Sequence, residues 1–496
     1  MLKKLVRFLI RWLVYAILAV VATMGLIVVG FAVQARYLLP DLHAWHTIEL
    51  SSEFKSGAAG APKSFEEYRR LEDRLFAELR TRILEDPKSA DSFVLGRYNP
   101  KSVPERLALE TAYNHSYELA PPDPKGSVLL VHGLSDSPYV MHHLAQLFFD
   151  QGYYVLVLRM PGHGTIPSGL LHVTWQDWYD AVVLAARHAA KQAGEGKPFL
   201  AGGFSTGGAL LTLYSVRALE DDSLPKPQRV VLLSPAIGIT NLAVLTNIVS
   251  GLSFIPWFEK WKWTDVLPEY DPYKYNSFPG NAANQIYKLT RELRRSLLAA
   301  KERGKLDGMP QFVVFQSLVD ATVETPEVVK GLLLDLPAKG RELILSDVNG
   351  QDALEGLLTP RPREQLQRLR STPALPFRLV VISNSGRDSD SVAAFTREPG
   401  EAEESVQDLG LTWPRGVVSL GHVALPFPMD DPIYGLAPKL DPAEPAFRLG
   451  AFDARGESGA LVVPLGAFAR LRCNPFFDVI RSTLQAMLAG DSPAQP

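Results

Sequence analysis

One cysteine, Cys473, stands in 496 residues. That scarcity removes an intramolecular disulfide, a zinc site ligated by cysteines and, from its late position, a Cys-centred triad. It leaves the redox compartment open, because a chain without disulfides is at home on either side of a membrane. Charge of one sign is also lacking: 51 basic and 54 acidic residues leave a net charge of −3. Beyond the first dozen positions no long run of like charge occurs, so no nucleic-acid footprint is expected. No internal repeat is present. The length exceeds one typical domain and suits a core of about 300 residues with an N-terminal segment, a cap and insertions.

The first 36 residues are the compositional outlier. From Trp12 to Val33, 22 residues carry no charge, close to the ~20 a helix needs to cross a ~30 Å hydrocarbon layer. Lys3, Lys4, Arg7 and Arg11 precede this run and Arg36 follows it. The bias predicts a transmembrane anchor with a cytoplasmic N-terminus and the remaining chain on the outer side. A cleaved signal peptide ending near Val33-Gln34-Ala35 is the alternative, although signal cores are usually shorter, about 7–15 residues.

Residues 37–125 read as a membrane-proximal region with one charged amphipathic helix at Ser64–Leu84 and a turn-rich Pro-Pro-Asp-Pro at 121–124. The pattern then changes. Apolar runs at 127–131, 154–158, 198–201 and 229–233 suit strands of a parallel sheet covered on both faces. Between them Thr174–Gln192 reads as a helix, with Thr174 and Asp177 as a capping box and Trp178, Val182, Ala185 and Ala189 on one face. Strand and helix alternation predicts a doubly wound α/β sheet, its first half at 126–237. Alternation stops over 238–305, where Trp257, Phe258, Trp261 and Trp263 cluster, and this stretch reads as a helical cap. The second half of the core, 306–435, has strands expected at 311–315, 342–345, 378–382 and 416–419 and a Pro-rich, acidic surface insertion at about 348–412. Residues 436–496 form a C-terminal region with a final helix.

Gly203-Phe-Ser-Thr-Gly207 is a Gly-x-Ser-x-Gly pattern between an apolar strand and a helix start. Such an elbow lifts a serine hydroxyl above the sheet, so Ser205 is the candidate nucleophile; the bland reading is a Gly-rich turn that packs or holds phosphate. Val131-His132-Gly133-Leu134 ends the first core strand, where Leu134 and, after the elbow, Thr206 can offer backbone N–H groups to an oxyanion. His132 itself is read as structural, as is His163. A serine needs a base, and in this order of elements the base follows it. Of ten histidines only His422 lies beyond Ser205, directly after an apolar run. The acid that orients it should also follow a strand. Asp320 is the leading candidate; Asp347, Asp388 and Asp390 compete, since each follows a strand too.

These residues resemble the α/β-hydrolase superfamily, and within it the lysophospholipase, monoacylglycerol lipase and carboxylesterase group labelled serine aminopeptidase S33-like. The likeness rests on His132-Gly133, Arg159-Met-Pro-Gly-His-Gly164, the serine elbow, an aspartate before Ala-Thr-Val, and a late histidine, and covers about 126–335 and 410–430. It implies a mostly parallel sheet, a cap, and ester hydrolysis through an acyl-enzyme without cofactor or metal. It departs in the gap of about 100 residues between Asp320 and His422. The expected partners are a small-molecule or lipid ester with an apolar acyl group and, through the N-terminal helix, a membrane. A tethered interaction protein that keeps the fold without activity, or a peptidase or thioesterase on the same fold, are the rival readings.

Overall fold

A computed structural model of the chain describes residues 2–33, 39–238, 256–320, 322–337, 340–350, 359–386, 389–414, 417–439, 447–450, 452–453 and 470–490. Arg36, the Gln34-Ala35 cleavage site and Asp388 fall outside these residues.

Ten strands form one sheet. In chain order they are Tyr117–Leu119 (β1), Ser127–Val131 (β2), Tyr154–Leu158 (β3), Phe199–Phe204 (β4), Arg229–Leu233 (β5), Gln311–Ser317 (β6), Arg341–Ser346 (β7), Arg378–Asn384 (β8), Ser391–Arg397 (β9) and Ser405–Thr412 (β10). Their spatial order is β1-β3-β2-β4-β5-β6-β7-β8-β9-β10. From β3 through β8 every pairing is parallel, while β1 on β3, β9 on β8 and β10 on β9 are antiparallel.

The parallel strands are apolar on both faces because both faces are covered. The principal helices are Leu2–Val33 (α1), Phe65–Leu79 (α2), His142–Asp150 (α3), Trp175–Ala193 (α4), Thr206–Ala218 (α5), Gly280–Glu302 (α6), Pro360–Ser371 (α7) and Phe477–Ala489 (α8). Leu129 and Val131 of β2 join the core formed with Trp178 and Val182 of α4, Leu210 of α5 and Leu293 of α6. Their neighbours Val128 and Leu130 join the opposite core with Leu144 of α3 and Ile480 of α8. The α4 capping box is formed: Thr174 Oγ1 accepts from Asp177 N, and Asp177 Oδ2 accepts from Thr174 N at 2.7 Å.

Three expectations change. The run at 416–419 is not a strand in its described part. Asn349 N donates to Val418 O at 2.8 Å, and Asn349 Nδ2 and Trp413 Nε1 reach Val417 O at 3.0 Å, so loop and side-chain donors replace a ladder. The segment read as a surface insertion carries, besides the expected strand β8, two further strands, β9 and β10, which extend the sheet. At the N-terminus α1 is a 32-residue helix, and Phe8, Trp12, Leu13 and Leu18 are exposed on it. Among the described residues, however, no helix is long and apolar enough to cross a membrane, so the expected span at Trp12–Val33 is not borne out. Most side chains of Leu26–Val33 lie outside the description.

Candidate active site

Ser205 stands between β4 and α5 at φ 51° and ψ −113°, a conformation that L-residues adopt only when their surroundings over-determine it. Here the backbone is held at both ends: Ser205 N donates to Leu233 O at 3.0 Å, and Ser205 O accepts from Ala236 N at 3.0 Å and Ala209 N at 3.2 Å. The glycines are required by crowding. A Cβ on Gly203 would stand 2.6 Å from Gly207 C and Gly208 N, and one on Gly207 would strike the Val131 and His132 carbonyls. Thr206 opens α5, where the first N–H groups have no intrahelical acceptor and the helix dipole favours negative charge.

His422 begins a short helical turn, His422–Ala424. Its ring lies 5.0 Å, centroid to centroid, from Phe204, the residue before Ser205. His422 Nδ1 meets Asp320 Oδ2 at 2.7 Å although 102 residues separate them in sequence. Asp320 follows β6 and is itself fastened: Oδ1 accepts from Thr322 N at 2.9 Å and Val323 N at 2.8 Å. Both side chains are buried. The competing Asp347 lies elsewhere, accepting from Ser383 Oγ at 2.8 Å and from Val348 N at 2.7 Å; burial raises its pKa. The Asp390 carbonyl accepts from Trp413 N at 2.7 Å.

At the end of β2, His132 uses both ring nitrogens on backbone. Nδ1 donates to Gly133 O at 2.8 Å, and Nε2 accepts from Met160 N at 3.0 Å. Burial pushes its pKa well below the ordinary value, with His163 adding to the shift, so it is a neutral brace for the loop that carries Leu134. His163, taken down to about 3 by burial, hydrogen-bonds Pro161 O. Among the described residues no group of three or more His, Cys, Asp or Glu is placed to hold a metal ion.

A cavity of about 440 Å³ opens beside this pair of loops, with Phe204 and Val423, chain neighbours of Ser205 and His422, in its wall. Tyr139, Tyr273, Tyr275, Phe427 and Tyr434 supply aromatic surface, and Tyr139 stacks on Tyr273 at 4.0 Å. Polar groups share the wall: Lys274 pairs with Asp136 at 3.1 Å, and Tyr434 Oη donates to Asp271 at 2.8 Å. The stretch 238–305, read from sequence as a cap, supplies Tyr270, Tyr273, Lys274 and Tyr275 of this wall. Trp263 packs edge-on against His46 at 4.8 Å, away from this wall.

A family model described as serine aminopeptidase, S33, matches residues 122–321, from before β2 to just past Asp320. Together with the strand order and the elbow between β4 and α5, this decides the fold family. The described core has the α/β-hydrolase fold. Its curated relative, a thermostable monoacylglycerol lipase of Bacillus sp. (strain H-257), is 40% identical over 55 residues, 11% of this chain and 22% of the relative. The chain therefore spans about a fifth of that relative's length. Solved structures similar to it include a metagenome-derived lipolytic enzyme (19% identity, 47% of this chain and 86% of that one, TM-score 0.36). Others are monoacylglycerol lipase from Paleococcus ferrophilus (16%, 47% and 88%, 0.35) and a soluble variant of monoglyceride lipase from Saccharomyces cerevisiae (12%, 47% and 82%, 0.36).

Sequence reasoning placed an aromatic cap at 238–305 but singled out none of the tyrosines of the pocket wall. Tyr139 is remote in sequence from Tyr273 and Tyr434, and no local period connects them. The one available signal was the Tyr270-Asp-Pro-Tyr-Lys-Tyr-Asn276 run, dense in side chains that combine a ring with a polar tip.

Proposed function

We propose that this chain is a serine hydrolase of carboxylic esters, with Ser205 as nucleophile, His422 as general base, Asp320 as the acid, and Leu134 and Thr206 N–H groups as oxyanion donors. The observation that carries the reading is the 2.7 Å His422–Asp320 contact formed beside a serine held at positive φ. As Ser205 Oγ attacks the acyl carbon, its proton passes to His422 Nε2, and Asp320 stabilises the imidazolium through Nδ1–H. The tetrahedral oxyanion develops beside two N–H donors, each worth about 3 kcal/mol in comparable sites. Collapse expels the alcohol, protonated by His422, and water then releases the acid from the acyl-enzyme by the same route.

Lipid-like esters are the proposed substrates. The matched relative's name points to monoacylglycerols, and a wall of rings interrupted by Asp136, Lys274 and Asp271 suits an apolar acyl chain on a hydroxylated alcohol. A peptidase is the second reading, favoured by the aminopeptidase description of the matched family model; turnover of aminoacyl p-nitroanilides and not of esters would establish it. The proposal includes anchoring through α1, with the N-terminus cytoplasmic and the core on the outer side. Its support is the uncharged Trp12–Val33 run behind four basic residues. Resistance to carbonate extraction with an intact N-terminus is the expected outcome, and a mature start near Arg36 would replace the anchor with a signal peptide. For the chemistry, the full chain in detergent should label with a fluorophosphonate probe and Ser205→Ala should not. Absent labelling, or equal labelling of the variant, would remove the enzyme reading.

A further inference from the structure

Outside α1, the large apolar side chains exposed among the described residues mostly stand singly, as Leu298, Leu334, Val406 and Leu436 do. Phe93, Val94 and Leu95 are the exception, three in succession at 43%, 76% and 46% exposure. Contiguous apolar surface left in water on a folded chain marks a place that meets a partner or a membrane.

The loop that carries them is fastened, so their exposure is built in. Asp91 Oδ1 accepts from Phe93 N at 2.9 Å, and Phe93 O accepts from Gly96 N and Asn99 Nδ2, both at 2.9 Å. Asp91 N donates to Tyr98 O at 3.1 Å and closes the base of the turn. A Cβ on Gly96 would strike the Asp91 carboxylate, which is why the turn needs glycine there. Tyr98 ties the base to the core by donating Oη to Thr165 O at 2.8 Å.

Two connections place this tip. Arg97 N donates to Glu269 O at 2.7 Å, and Arg97 Nη1 donates to Asp271 O at 3.3 Å, so the tip is seated on the loop that lines the ester cavity. On its other side Trp45 stacks on Tyr98 at 5.0 Å. Leu39 stands six residues before Trp45, and only residues 34–38 separate Leu39 from Val33, the last residue of α1. So short a tether spans at most about 20 Å, which keeps the core close to any bilayer that the proposed anchor enters, and the tip lies where the chain joins the core. Lys88 and Lys101 flank the tip in sequence; both are exposed, and neither is in an ion pair among the described residues. Asp91, the one acid between them, is engaged by Phe93 N. An apolar tip with a cationic rim suits the boundary between acyl chains and anionic headgroups.

We propose that Phe93-Val94-Leu95 is a lipid-docking tip that dips into this boundary and holds the cavity loop at the bilayer surface. Lipid is assigned as the occupant, and not a second protein, on the strength of the membrane-anchored reading above.

The test puts one label on the tip. Cys473 is buried, so Val94→Cys in the full chain offers a single reactive thiol to an environment-sensitive nitrobenzoxadiazole label, and the wild type should take none. Val406→Cys, at a position 61% exposed on β10, is the reference. In vesicles of phosphatidylcholine and phosphatidylglycerol the label at 94 should shift its emission to the blue and be quenched by a lipid-borne nitroxide and not by aqueous iodide, with the reverse at 406. Val94→Asp should lower severalfold the turnover of a long-chain monoacyl ester carried in the vesicles and leave p-nitrophenyl acetate hydrolysis unchanged. A label at 94 as open to iodide as the one at 406, or unchanged vesicle turnover in Val94→Asp, would overturn the proposal. Protection from iodide without nitroxide quenching would give the tip to a second copy of the chain and overturn it equally. The label reports without turnover, so failure of the hydrolase reading does not mask the result. Carbonate release of protein whose label at 94 is quenched by the nitroxide would overturn the anchor and keep the tip.

Discussion

Asp320 and Asp347 are the same side chain after two adjacent parallel strands, yet their surroundings differ. Asp320 presents Oδ2 to His422 while backbone N–H groups of Thr322 and Val323 hold Oδ1. Asp347 spends its oxygens on Ser383 and on its own loop. Losing the carboxylate opposite a catalytic imidazole leaves the ring in the wrong tautomer and lowers kcat by about 10⁴. Asp320→Asn should show a loss of that size in p-nitrophenyl ester hydrolysis, His422→Ala should abolish turnover, and Asp347→Asn should keep most of it. The reverse ranking of the two aspartates would move the acid. No local pattern could have ranked them: each follows an apolar run, and only a through-space distance separates them.

The element that shapes the pocket is the loop Glu269–Ser277, closed by side chains standing in for a ladder. Glu269 accepts from Asn276 N at 2.9 Å and Ser277 N at 2.7 Å, and Asn276 Oδ1 accepts from Tyr270 N and Asp271 N. Burial raises Glu269 to about 7 against these hydrogen bonds, which favour the charged form. A raised carboxyl binds more protons folded than unfolded between the unfolded pKa of 4.5 and about 7. Its stabilisation is therefore complete below 4.5 and is lost as pH rises through about 7. The span is worth about 3 kcal/mol at 1.36 kcal/mol per unit. Glu269→Gln should flatten the pH dependence of Tm between about pH 5 and 7 by an amount of that order. Unchanged slopes in wild type and variant would refute the assignment. Glu269 is unremarkable in the sequence, because its shift arises from burial by other elements.

Across the molecule, one buried network joining residues 39–116 to the core centres on Arg159. Arg159, after β3, is 1% exposed; it donates Nε to Glu72 of α2 at 2.7 Å and Nη2 to Glu53 at 3.0 Å. Its Nη1 also reaches His163 O at 2.9 Å, fixing the Pro161–Gly164 loop. Removing one partner of such a buried network leaves uncompensated charge and costs about 3–5 kcal/mol. Arg159→Met should lose stability of that order in urea unfolding, with limited proteolysis cutting first within residues 39–116; an unchanged midpoint would show the network to be weak. Arg159 opened a motif legible in the sequence, but its partners at 53 and 72 were not, since neither has a fixed spacing from it.

The sequence by itself determined the doubly wound core, because strands buried on both faces must be apolar throughout and amphipathic helices must show one apolar face. It also determined the elbow, where strand, glycines and helix start are contiguous, and the uniqueness of His422 beyond Ser205. Tertiary structure alone decided which aspartate meets His422, that 391–412 adds two strands beyond β8, and that 417–419 is held by Asn349 and Trp413 instead of a neighbour strand. It also decided which tyrosines share a wall. The division has one physical cause. Periodicity and turn chemistry act over a few residues and leave their mark locally, whereas hydrogen bonds, ion pairs and burial join residues a hundred positions apart and leave none.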